Sequence, residues 1–188
     1  IYSDWLHLII RWIHIIVGVA WIGTSFYFNW LDSRLVRDDP LHKDIDGYLW
    51  SVHSGGFYRI EKLKGPPEKL PKVLHWFKWE AYATWISGFA LMIIVYYLNA
   101  SSLMLNDNGI INNPYQAIVI SLFFIFFSWF IYDFLCKNFN LKNQTLFVVT
   151  GFLIIFFISY ILSQIYGSRA AYIHVGAIIG TIMAANVF

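Results

Sequence analysis

The chain has 188 residues, of which 59% are hydrophobic and 20% aromatic but only 13% charged, with a formal net charge of +2. With a mean hydropathy of +0.58, that make-up excludes an ordinary soluble domain. The single cysteine, Cys136, excludes an intrachain disulfide and a C-x-x-C-H attachment for a c-type haem, and no nucleic-acid-binding motif is present.

A helix needs about 20 apolar residues to cross a hydrocarbon core of about 30 Å. The first such stretch is Trp5–Leu31, which carries Arg11 and His14 and lacks a small-x-small cleavage site. It is therefore expected to persist as a span and not to leave as a signal peptide. Ionisable groups within a lipid-spanning helix are costly unless paired, which makes His14 a candidate functional residue. His7, two turns earlier on the same face, is the alternative to it.

Asp32–Leu74 follows, with Arg34, Arg37, Lys43, Arg59, Lys62, Lys64, Lys69 and Lys72. Lys and Arg favour cytoplasmic loops, so this insertion is expected in the cytoplasm and the N-terminus outside. Within it, two aromatic and β-branched segments, Gly47–His53 and Phe57–Leu63, flank Ser54-Gly55-Gly56, which predicts a β-hairpin. Gly65-Pro66-Pro67 and Pro71 then break the chain.

Four further spans are predicted at His75–Leu98, Tyr115–Leu135, Thr145–Ile165 and Ala170–Phe188. The Asn99–Pro114 loop has no Lys or Arg, whereas Cys136–Gln144 has Lys137 and Lys142, so the alternation of sides is self-consistent. The expected architecture is all-α: a polytopic bundle of at least five spans, one membrane domain over residues 1–188, with the hairpin as its cytoplasmic insertion. The chain opens without Met and closes on Asn186-Val187-Phe188 without a helix stop signal, so both ends are expected to continue.

In the last span Gly176, Gly180 and Ala184 recur every four residues and predict close helix packing. The same span carries His174, preceded by Arg169. With Trp30 and Asp32 at the inner boundary, Arg11 falls at the outer one and His14 a turn beneath it, as His174 lies beneath Arg169. On that register the two imidazoles are level. They would be the axial ligands of a non-covalent b-type haem, with Gly18, Ala177 and Thr181 leaving room for the macrocycle and Arg11 and Arg169 pairing with propionates. Snorkelling to lipid headgroups is the other reading of the arginines. Zinc or copper fits less well, since no compact set of His, Cys and carboxylates is present.

A second constellation falls at the inner side. Arg59, Lys62 and Lys78 could cradle a planar anion, Trp79 could stack on it, and Glu80, His53 or His75 could accept a proton. An interfacial aromatic belt with solvated charges is the alternative reading. An inner substrate and an outer haem would stand about half a membrane apart, which calls for a second cofactor or a shallower pocket.

Four blocks carry a resemblance to a known family: Gly18-Val19-Ala20-Trp21-Ile22-Gly23-Thr24-Ser25-Phe26-Tyr27-Phe28; His53-Ser54-Gly55-Gly56-Phe57-Tyr58-Arg59-Ile60-Glu61-Lys62; Leu74-His75-Trp76-Phe77-Lys78-Trp79-Glu80-Ala81-Tyr82; and His174-Val175-Gly176-Ala177 through Phe188. In these the chain resembles the N-terminal membrane domain of the membrane-bound, cytochrome c-linked bacterial urate oxidases. Residues 96–166 match only in being hydrophobic. The resemblance implies a multi-pass protein of the bacterial inner membrane that oxidises urate, a purine, to 5-hydroxyisourate. It implies electron transfer to a cytochrome c or to a haem c domain outside this chain. A non-catalytic haem-bearing or structural subunit of a respiratory complex is the rival expectation, and a copper-handling membrane protein a further one.

Overall fold

The computed structural model describes residues 2–37, 44–106, 109–138 and 144–187. Lys43, Lys142 and Phe188, on which parts of the charge pattern and the last span draw, lie outside the described residues. The elements run α1 (Tyr2–Arg34), β1 (Ile45–His53), β2 (Gly56–Leu63), α2 (Trp79–Met92), α3 (Ala100–Leu103), α4 (Pro114–Asn138), α5 (Gln144–Ile165) and α6 (Ser168–Ala185). A π-helical turn, Ile93–Tyr97, prolongs α2.

Five helical segments are long and apolar enough to cross a membrane: Asp4–Arg34, Trp79–Tyr97, Pro114–Lys137, Gln144–Ile165 and Ser168–Ala185. Their large apolar side chains are widely uncovered, as at Phe26, Phe152 and Phe156, and a bilayer would cover them. The second span begins at Trp79 and not at His75. Pro66, Pro67 and Pro71 lack backbone N–H donors, and residues 64–78 run as bends and turns ahead of the helix.

Contacts group the chain into two compact units: residues 19–77, and residues 1–18 with 78–188. In the first, β1 and β2 pair antiparallel from His53 opposite Gly56 to Gly47 opposite Lys62, with an irregularity at Asp46. The turn is the predicted one: Ser54 and Gly55 both have positive φ, 49° and 78°, the condition for a two-residue primed turn that matches strand twist. Val36 bridges to Tyr48 along the far side of β1. A Cβ on Gly47 would come within 3.0 Å of the Leu35 Cβ and the Val36 carbonyl, so that approach requires glycine. The Lys62 ammonium donates to both Asp32 oxygens at 2.7 and 2.9 Å, tying the hairpin to the last turns of α1.

In the second unit α6 packs against α2, α4 and α5. Its buried residues are Ala170, Ala171, His174, Ile178, Thr181 and Ala184, a stripe at helical spacing. That stripe corrects the packing expectation. A Cβ on Gly176 or Gly180 would meet nothing within 4 Å, so these two glycines are not at a close helix contact. The core around the stripe contains Met92, Tyr96, Met104, Ile125, Leu162 and Tyr166.

Candidate functional site

His174 is almost completely enclosed in the second unit, with 1% of its surface exposed. Its Nδ1 lies 2.7 Å from the Ala170 carbonyl, one turn back on α6. A carbonyl only accepts, so the proton sits on Nδ1 and the lone pair on Nε2. Nε2 is buried and has no hydrogen-bond partner among the described residues. A buried nitrogen of this kind is costly to a fold unless something pairs with it.

Three tyrosines enclose that imidazole. Tyr166, in the link from α5 to α6, stacks on it at 4.7 Å between ring centres. Its hydroxyl donates to the Ala117 carbonyl on α4 at 2.9 Å, and burial, then the neighbouring Tyr97, pushes its phenol well above the ordinary tyrosine range. Tyr96 and Tyr97 approach at 6.1 and 6.3 Å. Consecutive residues of an α-helix point about 100° apart, and here the π-turn, closed by Leu98 N–H to the Ile93 carbonyl, sets both rings beside one histidine. Tyr97 is fixed in turn by a 2.6 Å hydrogen bond with Ser121 of α4.

His14 is anchored in a comparable way on a different helix. Its Nδ1 reaches the Thr84 carbonyl at 3.1 Å and Ser87 Oγ at 3.0 Å. Ser87 donates its own proton to the Ala83 carbonyl at 2.7 Å, so its oxygen is free to accept from His14. In both histidines Nδ1–H is held by a backbone carbonyl, as in the outer contact that orients a ligating imidazole.

The structure does not bring the two histidines to one level. His14 meets α2 at Thr84 to Gly88, whereas His174 meets it at Tyr96 and Tyr97. Trp85 Nε1 donates to Thr181 at 2.9 Å, which fixes α6 beside α2 at that end. From Ser87 to Tyr96 along α2 is on the order of 13 Å, where the sequence pattern suggests equal depth. His7 is engaged elsewhere, since its Nε2 accepts from the Arg11 guanidinium at 2.8 Å. Arg169 is exposed at the start of α6, Gly18 faces the Thr84 methyl at ordinary contact distance, and Ala177 accepts from the Thr181 hydroxyl.

The expected cationic cradle is divided. Strand alternation directs Arg59, with Glu61, Tyr48 and Trp50, to one face of the hairpin, and Lys62 and His53 to the other. Arg59 pairs with Glu61 at 2.8 Å and lies over the Tyr48 and Trp50 rings, while Lys62 is held by Asp32. His75 sits edge-on to Phe77 at 4.5 Å in the same unit. Lys78, Trp79 and Glu80 belong to the other unit, at the start of α2. There the Lys78 ammonium lies 5.9 Å from the Trp79 ring centre, and one Glu80 carboxylate oxygen is shut away from solvent. Trp79 also borders a cavity of about 510 Å³ between α2, α4 and α6, with Tyr82, Trp85, Phe126, Trp129 and Thr181 among its walls. Its aromatic walls suit a flat ring.

Sequence reasoning missed the tyrosine cage and the cavity. Tyr96, Tyr97 and Tyr166 fall in the stretch that reads only as hydrophobic, and no local pattern announces a π-turn. Among the described residues, no group of three or more His, Cys, Asp or Glu is placed to hold a metal ion.

The family model described as Urate oxidase N-terminal matches residues 1–188, and the chain belongs to that family. No curated protein and no solved structure matched it.

Proposed function

We propose that this chain is the membrane module of an enzyme that oxidises urate to 5-hydroxyisourate and passes the electrons to a cytochrome c. The reaction adds water and releases two electrons and two protons, so it needs a cation for the urate anion, a proton acceptor and an electron exit. At the start of α2, Lys78 supplies the cation, Trp79 and the aromatic cavity beside it the stacking surface, and Glu80 the proton acceptor. His53, His75, Arg59 and Lys62 are the hairpin-side candidates for the same roles, and Arg59 and Lys62 enter them already paired with carboxylates.

The electron exit in this reading is a b-type haem, and the observation that carries it is His174: a buried imidazole with its proton anchored and its other nitrogen unpartnered. Bound there, a haem would supply one-electron chemistry. His174 fits that ligand role. His14 has the right protonation, but its level along α2 does not fit a shared iron, which needs both nitrogens at bonding distance, ~2 Å. Arg11 and Arg169 are the proposed propionate partners. The N-terminus outside and the hairpin in the bacterial cytoplasm complete the reading. Single cysteines at Ile110 and Lys64, labelled from outside, should mark only the first.

The test is an assay of membranes holding the full-length protein with cytochrome c. Loss of urate absorbance and reduction of cytochrome c should proceed together, and the purified protein should show the reduced-minus-oxidised spectrum of a b-type haem. The paired state of Arg59 and Lys62 favours a second reading, a haem-bearing subunit of a respiratory complex without urate chemistry. Haem without urate consumption would select it.

A further inference from the structure

The residues that hold His14 are more specific than a helix contact requires. On α2, Thr84 offers its carbonyl and Ser87 its hydroxyl oxygen to the one Nδ1 proton, and the third wall is Gly88. A Cβ on Gly88 would lie 3.0 Å from His14 Cε1, 3.5 Å from Nδ1 and 3.8 Å from Nε2, so the imidazole rests over bare backbone. Three other helical glycines have no such neighbour: a Cβ on Gly151, Gly176 or Gly180 would meet nothing within 4 Å. The Thr84 carbonyl accepts from His14 Nδ1 and from the Ser87 hydroxyl at 3.1 Å each, the same hydroxyl reaches the Ala83 carbonyl at 2.7 Å, and the Thr84 hydroxyl turns back to the Glu80 carbonyl at 2.7 Å.

We infer that Thr84, Ser87 and Gly88 form a socket on α2 in which His14 is the clasp that docks the first half of α1, with Gly88 the residue that makes the socket. His14 then acts by fixing a helix and does not share an iron with His174. The inference rests on contact geometry alone and goes beyond the proposed activity. In α1 the apolar side chains near the histidine, Ile13, Ile15 and Ile16, are about half exposed. The imidazole is thus the polar fastener of a helix with little apolar docking in that region.

The experiment uses the full-length chain with Cys136→Ser, Gly18→Cys and Thr84→Cys. A Cβ on Gly18 lies 3.9 Å from the Thr84 Cγ2, so side chains at these two positions are in van der Waals contact and cysteines there face each other across the two helices. Oxidation in membranes should close the cross-link. Gly88→Ala and His14→Ala should each slow its formation by about five-fold, the equivalent of a modest overpacking or hydrogen-bond loss. Gly180→Ala should leave it unchanged, and Ser87→Ala, which removes one acceptor of two, should have an intermediate effect. ¹⁵N-histidine spectra should show the His14 Nδ1 proton held in a hydrogen bond, and a mixed population in Gly88→Ala. Haem absorbance should survive His14→Ala. Equal cross-linking in all variants would overturn the clasp, and so would loss of the haem absorbance in His14→Ala with the cross-link intact. A wild-type protein without haem would remove the haem reading while the cross-link and ¹⁵N results still decide this one.

Discussion

His174 and the hairpin cations are opposite solutions to the same problem of placing polar groups. Arg59 and Lys62 are 38% and 45% exposed, and each has a carboxylate within 2.8 Å, so solvent and counter-charge leave them nothing more to gain. His174 is sealed among aromatic rings with one nitrogen unpartnered. The first arrangement is stable without a ligand. The second is costly until a ligand arrives, and that difference makes the imidazole the stronger functional candidate although the hairpin carries more charge.

The sharpest way to break the comparison is at His174. His174→Ala should abolish the haem absorbance of the intact protein, measured by visible spectra, whereas Arg59→Ala should leave it in place. Next in size is the start of α2. Glu80→Gln should lower turnover by about 10²–10⁴-fold with KM nearly kept, and Lys78→Ala should instead raise KM by an amount equivalent to about 1–3 kcal/mol. Steady-state urate kinetics separate the two.

Smaller effects test the cage and the hairpin. The Tyr166 phenol is raised by burial, so its neutral form is favoured in the fold. That contribution is fully present below the ordinary tyrosine pKa of 10.0 and is lost as pH rises beyond it, because the unfolded chain then ionises first. Thermal unfolding in detergent should steepen above pH ~10 by up to about 1.4 kcal/mol per pH unit, and Tyr166→Phe should flatten that limb. Lys62→Met should cost least, about 0.2–1 kcal/mol in denaturant unfolding of the hairpin unit, since its ion pair with Asp32 is half exposed.

The five spans and the hairpin were legible in the sequence because each is set by local signals, apolar length in one case and Ser54-Gly55 between β-forming segments in the other. The start of α2 was misplaced by four residues, since Trp76 and Phe77 extend the apolar run although the helix has not begun. His174 was legible as a buried polar residue. Its level relative to His14 was not, because hydropathy sets where a helix enters the bilayer but not how far one helix slides along another. That slide is fixed by pairs such as Trp85 with Thr181 and His14 with Thr84, which are far apart in the chain. The glycine spacing of the last span was misleading for the same reason: periodicity names a stripe, and only the partners decide whether it faces protein or lipid.

The π-turn at Ile93–Tyr97 behaves as one residue too many within an otherwise regular span. Everything after it is out of phase with everything before it by about 100°. Deleting a single residue from Ile93 to Val95 would restore an uninterrupted helix and swing Leu98, Asn99 and the chain beyond to new bearings, taking one tyrosine away from His174. The tract would then be more sensitive to a change in length than to an apolar substitution at the exposed Ile93, so a three-base deletion there should be the more damaging change.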